Sequence, residues 1–68
     1  MEESKLFKEY DAVRANKRLN INISKGEEGT ILMVFEGEDK EYEVEFVDEE
    51  GNTLDILTVR ETDLEIVK

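Results

Sequence analysis

Apolar and acidic residues alternate most clearly in residues 42–46, where three large apolar side chains are separated by Glu43 and Glu45. Successive side chains of a strand point to opposite faces of a sheet, so this period of two predicts a strand with one buried and one wet face. Residues 48–52 follow with the glycine and short polar side chains that favour a turn. Residues 53–59 then return as a strand, which completes a predicted hairpin.

A second hairpin is predicted upstream of the first. Residues 29–36 are almost continuously apolar and read as a strand, and residues 36–40 supply the turn into the acidic and aromatic strand. Residues 11–15 predict an initial strand and residues 64–67 a short final one. Between the last two strands, residues 60–63 are typical of a single 3₁₀ turn, a common short connector.

Two segments allow more than one interpretation. Residues 4–10 are compatible with a helical turn or with an extended arm. Residues 17–25 place Leu19, Ile21 and Ile23 in strict alternation with asparagines, which is strand-like. The same segment also fits a long excursion between the first two strands.

The order of these elements predicts an all-β fold: a small SH3-like barrel of about five short antiparallel strands, with a 3₁₀ turn before the last strand. We expect a single domain over residues 1–68, with residues 1–8 as a flexible or helical N-terminal arm. One apolar side of the strands should form the core. The expected core residues are Val13, Ile31, Met33, Val44, Phe46, Leu57, Val59 and Leu64.

Charge narrows the choice of partner. The chain has nineteen acidic and nine basic residues, a net charge of −10. Residues 1–25 carry a net charge of +2 and residues 26–68 a net charge of −12. Phosphate backbones and anionic lipids repel a surface of that sign, so we expect no direct nucleic-acid partner and no membrane. The partner favoured by this charge is another protein with a basic surface.

Catalytic chemistry has little support in the sequence. There is no Cys and no His, so a nucleophilic triad, a histidine acid–base pair and a zinc site all lack their residues. The acids of residues 48–52 do not follow the spacing of a calcium-binding loop. We therefore predict no enzyme, no cofactor and no catalytic or metal-binding residues. The first residues lack the apolar run of a signal peptide, which favours the cytoplasm.

The candidate binding surface comes from apolar residues left over once the core is filled. If Met33 points inward, then Leu32 and Val34 point outward. If Leu57 and Val59 point inward, then Leu54 and Ile56 are at least partly exposed. Apolar patches with a polar rim mark protein interfaces. The predicted partner-binding residues are Leu32, Val34, Glu43, Glu45, Asp48, Glu49, Leu54 and Ile56.

Several short motifs resemble a bacterial family known as domain of unknown function 4926. These motifs lie at residues 9–13, 25–31, 42–48, 51–54 and 62–64. The resemblance implies an SH3-like barrel without an established activity. Some members are encoded beside a second small protein in toxin–antidote-like pairs, which implies a binding or neutralising role.

The functional expectation is thus a non-catalytic protein-binding module, in particular an antidote- or immunity-like inhibitor that neutralises a partner protein. The alternative is an acidic nucleic-acid mimic, such as a phage-type inhibitor that occupies the basic groove of a DNA- or RNA-binding protein. A third hypothesis is a constitutive scaffold module. The sequence leaves these three hypotheses and the oligomeric state open.

Overall fold

The computed structural model describes residues 5–67. Within that range the chain forms five strands and one 3₁₀ turn, so the predicted all-β architecture is confirmed. In chain order the elements are β1 (Ala12–Ala15), β2 (Glu28–Val34), β3 (Glu41–Val47), β4 (Thr53–Arg60), the 3₁₀ turn (Glu61–Asp63) and β5 (Leu64–Ile66).

The strands form one antiparallel sheet in the order β4-β3-β2-β1-β5. Strands β2, β3 and β4 follow one another as a meander, and β5 returns to pair with the far side of β1. In the described part of the chain β4 and β5 are not paired with each other, so the sheet is open and these two strands are its edges. No helix in this part is long and apolar enough to cross a membrane.

Strand β3 supplies the centre of the core. Tyr42, Val44 and Phe46 are completely buried, while the glutamates between them lie on the opposite side. The predicted alternation of residues 42–46 is therefore present in the structure. The buried apolar residues are Phe7, Val13, Ala15, Ile23, Ile31, Tyr42, Val44, Phe46, Val59 and Leu64, with Leu19, Val34, Leu54 and Leu57 packed against them.

A β-bulge in β2 changes which of its side chains face the core. Ile31 pairs with Val44, but the next pair is Met33 with Glu43, so one residue is extra on the β2 side. A bulge of this kind shifts the alternation by one position. Met33 consequently lies opposite an outward glutamate and is 45% exposed, so its predicted place in the core is wrong.

Two irregular segments complete the core. Phe7, in the segment before β1, is 1% exposed, and Ile23, in the loop before β2, is fully buried. The strand-like alternation of residues 17–25 does not produce a strand, since only an isolated bridge joins Asn20 to Ile23. Ile21 lies at the loop surface. The segment before β1 carries no alternation, and the alternation of residues 19–23 does not tell the buried Ile23 from the exposed Ile21.

Residues 5–8, which we call the N-terminal strap, lie along the body of the domain without helical structure. The Phe7 ring meets the Tyr42 ring edge-on, with the ring centroids 5.4 Å apart. Lys5 donates through Nζ to the carbonyl oxygen of Gly37 at 3.0 Å. The predicted arm is therefore packed against the domain over residues 5–8, and residues 1–4 lie outside the described range.

Glu61 joins the strap to the sheet. Its Oε2 accepts a hydrogen bond from the Tyr42 hydroxyl at 2.6 Å and another from the Leu6 backbone N–H at 2.9 Å. Burial would raise the pKa of Glu61, but these two hydrogen bonds, with the ammonium groups of Lys40 and Lys5, hold the pKa below its ordinary value. Burial and the bond to this carboxylate raise the pKa of Tyr42.

Gly29 allows β2 and β3 to pack closely. A β-carbon at this position would lie 2.7 Å from the Glu45 carbonyl oxygen and 2.8 Å from the Val44 Cγ1. It would also lie 3.1 Å from the Phe46 ring. Real β-carbons do not approach backbone atoms this closely, so only glycine fits here without moving the paired strand.

We predict that Gly29→Ala destabilises the fold strongly. Overpacking of a well-packed core costs about 1–3 kcal/mol, and the clash with backbone here favours the upper part of that range. Urea unfolding measures the change. The control is Gly51→Asn, because that turn position has φ +88° and no heavy atom near an added β-carbon. An alanine variant at Gly29 as stable as the wild type would contradict the close approach of β2 and β3.

Lowering the pH should weaken the attachment of the N-terminal strap through Glu61. A carboxyl whose pKa is lower in the folded state contributes stability above its unfolded pKa, about 4.3 for Glu, and loses it as the pH falls through the folded value. We therefore expect Glu61→Gln to be clearly less stable than the wild type at pH 7. The difference should begin to shrink as the pH falls toward about 4.3 and should continue to shrink below that value, as the pH falls through the lower pKa of the folded state.

Chemical unfolding at several pH values tests this expectation. Glu65→Gln is the matched control, because Glu65 is exposed on β5 and takes no part in the strap contacts. A stability difference between Glu61→Gln and the wild type that stays constant with pH would show that the Glu61 charge does not hold the strap.

Candidate functional site

The side of β2, β3 and β4 that faces away from the core forms a continuous surface, which we call the outer face. The register of the sheet places its residues in rows across the strands. Met33, Glu43 and Thr58 form one row, and Thr30, Glu45 and Ile56 form the next. Side chains directly opposite each other in such rows have β-carbons about 4.5–5.5 Å apart, so each row is a set of neighbours.

The β2 bulge gives this face its apolar component. Leu32 is the extra residue of the bulge, is half-buried, and is not among the side chains that pack on the core. Met33 follows it on the outer face with 45% of its surface exposed, and Ile56 on β4 is 48% exposed. Apolar side chains therefore lie on both sides of the two central glutamates.

Glu43 and Glu45 are outward-facing and half-buried, as predicted from their alternation with core residues. Two residues along a strand span roughly 6.7 Å, which sets the spacing of these two positions. Within residues 5–67 neither carboxylate forms a salt bridge. Glu45 accepts a hydrogen bond from the Thr53 hydroxyl, and Glu43 accepts no hydrogen bond in the described part of the chain.

The remaining predicted site residues do not lie in the central rows of the outer face. Val34 pairs with Tyr42 and packs on the core, so its predicted outward orientation is wrong. Leu54 also packs against the core, beside the register shift between β3 and β4. Asp48 and Glu49 lie in the β3–β4 turn, at the end of the outer face.

The carboxylate of Asp48 stabilises the β3–β4 turn. Its carboxylate accepts hydrogen bonds from the backbone N–H groups of Asn52 and Glu50, both at 2.9 Å. The bond from Asn52, and then that from Glu50, lower the pKa of Asp48. Glu49 is exposed at the tip of the turn. Asp48 therefore shapes the hairpin, whereas Glu49 is available to solvent.

A shallow acidic depression lies between this turn and the loop that precedes β2. It has a volume of about 550 Å³, and its lining residues are Lys25, Gly26, Glu27, Glu28, Val47, Asp48 and Glu49. No group of three or more acidic residues within residues 5–67 is arranged to hold a metal ion. The depression adds negative charge to one end of the outer face.

Asp55 ties the loop of residues 17–25 to β4. Its Oδ2 accepts hydrogen bonds from the amides of Asn20 at 3.0 Å and Asn22 at 3.2 Å. The bonds from Asn20 and Asn22, and then one from the Ile56 N–H, lower the pKa of Asp55. Asn20 and Asn22 thus hold a loop in place. The alternation of asparagines and apolar residues, which is typical of a strand, serves here to attach this loop to β4.

The family model for a domain of unknown function, DUF4926, matches residues 9–66. The chain belongs to the DUF4926 family. The match spans all five strands and the 3₁₀ turn. It confirms the family that the motifs indicated, and it assigns no activity to any residue. No curated protein and no solved structure matches the chain significantly.

The orientation of β2 can be tested by two adjacent substitutions. Val34→Ser should destabilise the domain by about 1–3 kcal/mol, because it places a hydroxyl against the apolar core. Met33→Ser should cost about 0.5 kcal/mol or less, as expected for a solvent-exposed position. Denaturant unfolding of the two variants measures the difference. The opposite ranking would mean that the bulge is absent and that Met33 faces inward.

Proposed function

We propose that this DUF4926 domain is a non-catalytic protein-binding module whose outer face binds a basic partner protein, and that it acts as an antidote-like inhibitor. The observation that carries the proposal is the placement of exposed Met33 and Ile56 on either side of Glu43 and Glu45. These side chains have little or no part in holding the fold together.

The apolar residues would supply the anchors. Interfaces place large apolar side chains at their centre, surround them with polar groups, and draw most binding energy from a few well-buried residues. Met33 is well suited to this position, since an unbranched thioether adapts to irregular partner surfaces. Leu32, half-buried beside it, would extend the apolar area.

The carboxylates would select the partner. Residues 26–68 carry a net charge of −12, and Glu43 and Glu45 lie in the middle of the apolar side chains. A surface with this charge attracts basic proteins from a distance, raises the association rate and disfavours acidic partners. Inhibition would follow by covering the basic surface of the partner.

A typical stable interface takes about 800 Å² from each partner. The domain exposes 4854 Å² in total, so an interface of that size would cover roughly a sixth of it. The three apolar side chains alone cannot fill such an area. The contact would therefore extend over the acidic rows of β3 and toward Glu49 at the β3–β4 turn.

A nucleic-acid mimic is the second candidate, and a specific feature favours it. Glu41, Glu43 and Glu45 project from the same side of β3 at regular two-residue intervals. A row of equally spaced negative charges is what a basic groove built for a phosphate backbone recognises. On this hypothesis the spacing of charge would matter more than the apolar side chains.

Two double variants separate these candidates once a partner has been isolated from the native host. In a protein-anchored complex, Met33→Ser with Ile56→Ser should accelerate dissociation by roughly tenfold or more. Glu43→Gln with Glu45→Gln should mainly slow association and weaken its salt dependence. Surface plasmon resonance at several salt concentrations measures both rates.

The chain offers a matched control for each pair. Ile21→Ser changes an apolar residue that is 83% exposed in the loop before β2 and does not belong to any of the three strands of the outer face. Glu36→Gln with Glu38→Gln removes two exposed charges from the β2–β3 turn. If the charge pair abolishes binding while the folded apolar pair binds normally, the mimic replaces the protein-anchored inhibitor.

A further inference from the structure

One side of β4 has no neighbouring strand. Strand β4 pairs with β3 on one side, and within residues 5–67 no strand pairs with its other side, which we call the β4 edge. The N–H and C=O groups along such an edge can form hydrogen bonds with a strand of another chain. The β4 edge also borders the outer face, since Ile56 and Thr58 belong to the rows that contain Glu45 and Glu43.

Two hydrogen bonds identify the backbone groups that point out of the β4 edge. The Ile56 N–H donates to the Asp55 carboxylate and the Arg60 N–H donates to the Asp63 carboxylate, both at 2.9 Å, so neither N–H is directed at β3. The direction of these groups alternates along a strand. Thr58, midway between Ile56 and Arg60, therefore also directs its N–H and C=O away from β3.

Only the centre of the β4 edge is open. The carboxylates of Asp55 and Asp63 take the N–H groups on either side of Thr58. In the part of the chain that the structure describes, no group from another element forms a hydrogen bond with the N–H or C=O of Thr58. Charged side chains on an edge suppress unselective strand pairing. The open part therefore suits a short segment with matching side chains rather than any long strand.

We propose that the partner protein adds an extended segment to the β4 edge as an additional antiparallel strand, and that this segment has the order basic–apolar–basic. The two basic residues lie opposite Thr58 and Ile56, and the apolar residue between them lies opposite Leu57. In this mode of recognition the backbone hydrogen bonds supply affinity and the alternating side chains supply specificity. The inference rests on the proposed protein-binding function and specifies how the partner binds.

The rows of the outer face select the basic residues. An added strand lies about 4.8 Å from β4 and extends each row by one position. Thr58 has a short side chain, so a Lys or Arg opposite it can extend over it toward Glu43. A basic residue opposite Ile56 can lay its aliphatic part on Ile56 and direct its charged end toward Glu45. Neither glutamate forms a salt bridge within residues 5–67.

The opposite side of the sheet selects the apolar residue. Leu57 pairs with the buried Val44 and packs against the core, but it is only half-buried. An apolar side chain opposite Leu57 on the added strand would remove more of its surface from water, which stabilises the complex. Strand addition thus satisfies both sides of β4 with one alternating segment.

This segment belongs to another protein rather than to a second copy of the chain. Nowhere in the sequence are two basic residues separated by a single position, so the chain does not contain the required order. Two copies that each carry a net charge of −10 also repel each other.

A peptide of alternating lysine and valine, capped at both ends and as long as β4, is the probe. Hydrogen exchange followed by NMR measures its effect on single amides. Near saturation we expect the exchange of the Thr58 amide to slow by about tenfold, while the amides of Leu57 and Val59, which face β3, stay unchanged. A peptide with the same lysines and valines in two blocks should bind about tenfold more weakly, because its charge is equal but its alternation is lost.

Methylation of the peptide backbone is the matched control. In antiparallel pairing the lysine N–H groups face β4 and the valine N–H groups face away from it. Methylation of the lysine nitrogens should therefore weaken binding by roughly tenfold, whereas methylation of the valine nitrogens should leave it unchanged. Equal binding of the two methylated peptides would overturn strand addition, as would an unchanged Thr58 exchange rate at millimolar peptide.

A substitution in the protein tests the same hydrogen bond from the other side. Thr58→Pro removes the outward N–H without removing a hydrogen bond to β3, and Thr58→Val keeps that N–H. We expect Thr58→Pro to weaken peptide binding by roughly tenfold and Thr58→Val to leave it nearly unchanged. If Thr58→Pro does not fold, the two methylated peptides decide.

The isolated partner distinguishes a failure of strand addition from a failure of the proposed function. Binding that responds to the Met33 and Ile56 double variant but not to a folded Thr58→Pro would keep the outer face as the binding site and overturn strand addition. Binding that responds to Thr58→Pro but to neither double variant of the outer face would support pairing at the β4 edge and overturn the proposed use of the outer face.

Discussion

The two-sided pattern of β3 is the constraint on which the structure depends. Its inward side chains, Tyr42, Val44 and Phe46, are completely buried and belong to the core cluster of the described residues. Because the side-chain period of a strand is two, a shift of one residue would bury three glutamates and expose three large apolar groups. The register of β2 and β4 on either side of β3 is therefore strongly specified by this one strand.

The core of this open sheet is not enclosed by the strands alone, because the edge strands β4 and β5 do not pair with each other in the described residues. The strap provides that cover at one end, where Phe7 closes the core and Glu61 accepts hydrogen bonds from both the strap and Tyr42. At the other end, Asp55 holds the loop that contributes Ile23. A small domain without disulfides thus uses irregular segments, fixed by side-chain hydrogen bonds, to complete a core that its short strands leave unfinished.

Some carboxylates of the domain stabilise its structure, and others have little structural role. Asp48, Asp55 and Glu61 accept several hydrogen bonds each and hold turns, a loop and the strap. Glu43 and Glu45 take almost no part in such networks. The outer-face carboxylates therefore have little structural role, which is what the proposed contact with a partner requires of them.

The sequence by itself determined the element types, their order, the central alternation of β3, the uneven charge and the family, because each depends on local patterns. The burial of Ile31 followed from the sequence, but only the tertiary structure decided that Val34 rather than Met33 packs on the core. The bulge at Leu32 exchanges Met33 and Val34 between surface and core, and a bulge depends on the pairing of two strands rather than on a local sequence signal. The burial of Phe7 and Ile23 was likewise decided by long-range contacts. Phe7 lies in a segment without periodicity, and the alternation around Ile23 does not distinguish it from the exposed Ile21. Each is buried because the strands leave a gap that it fills.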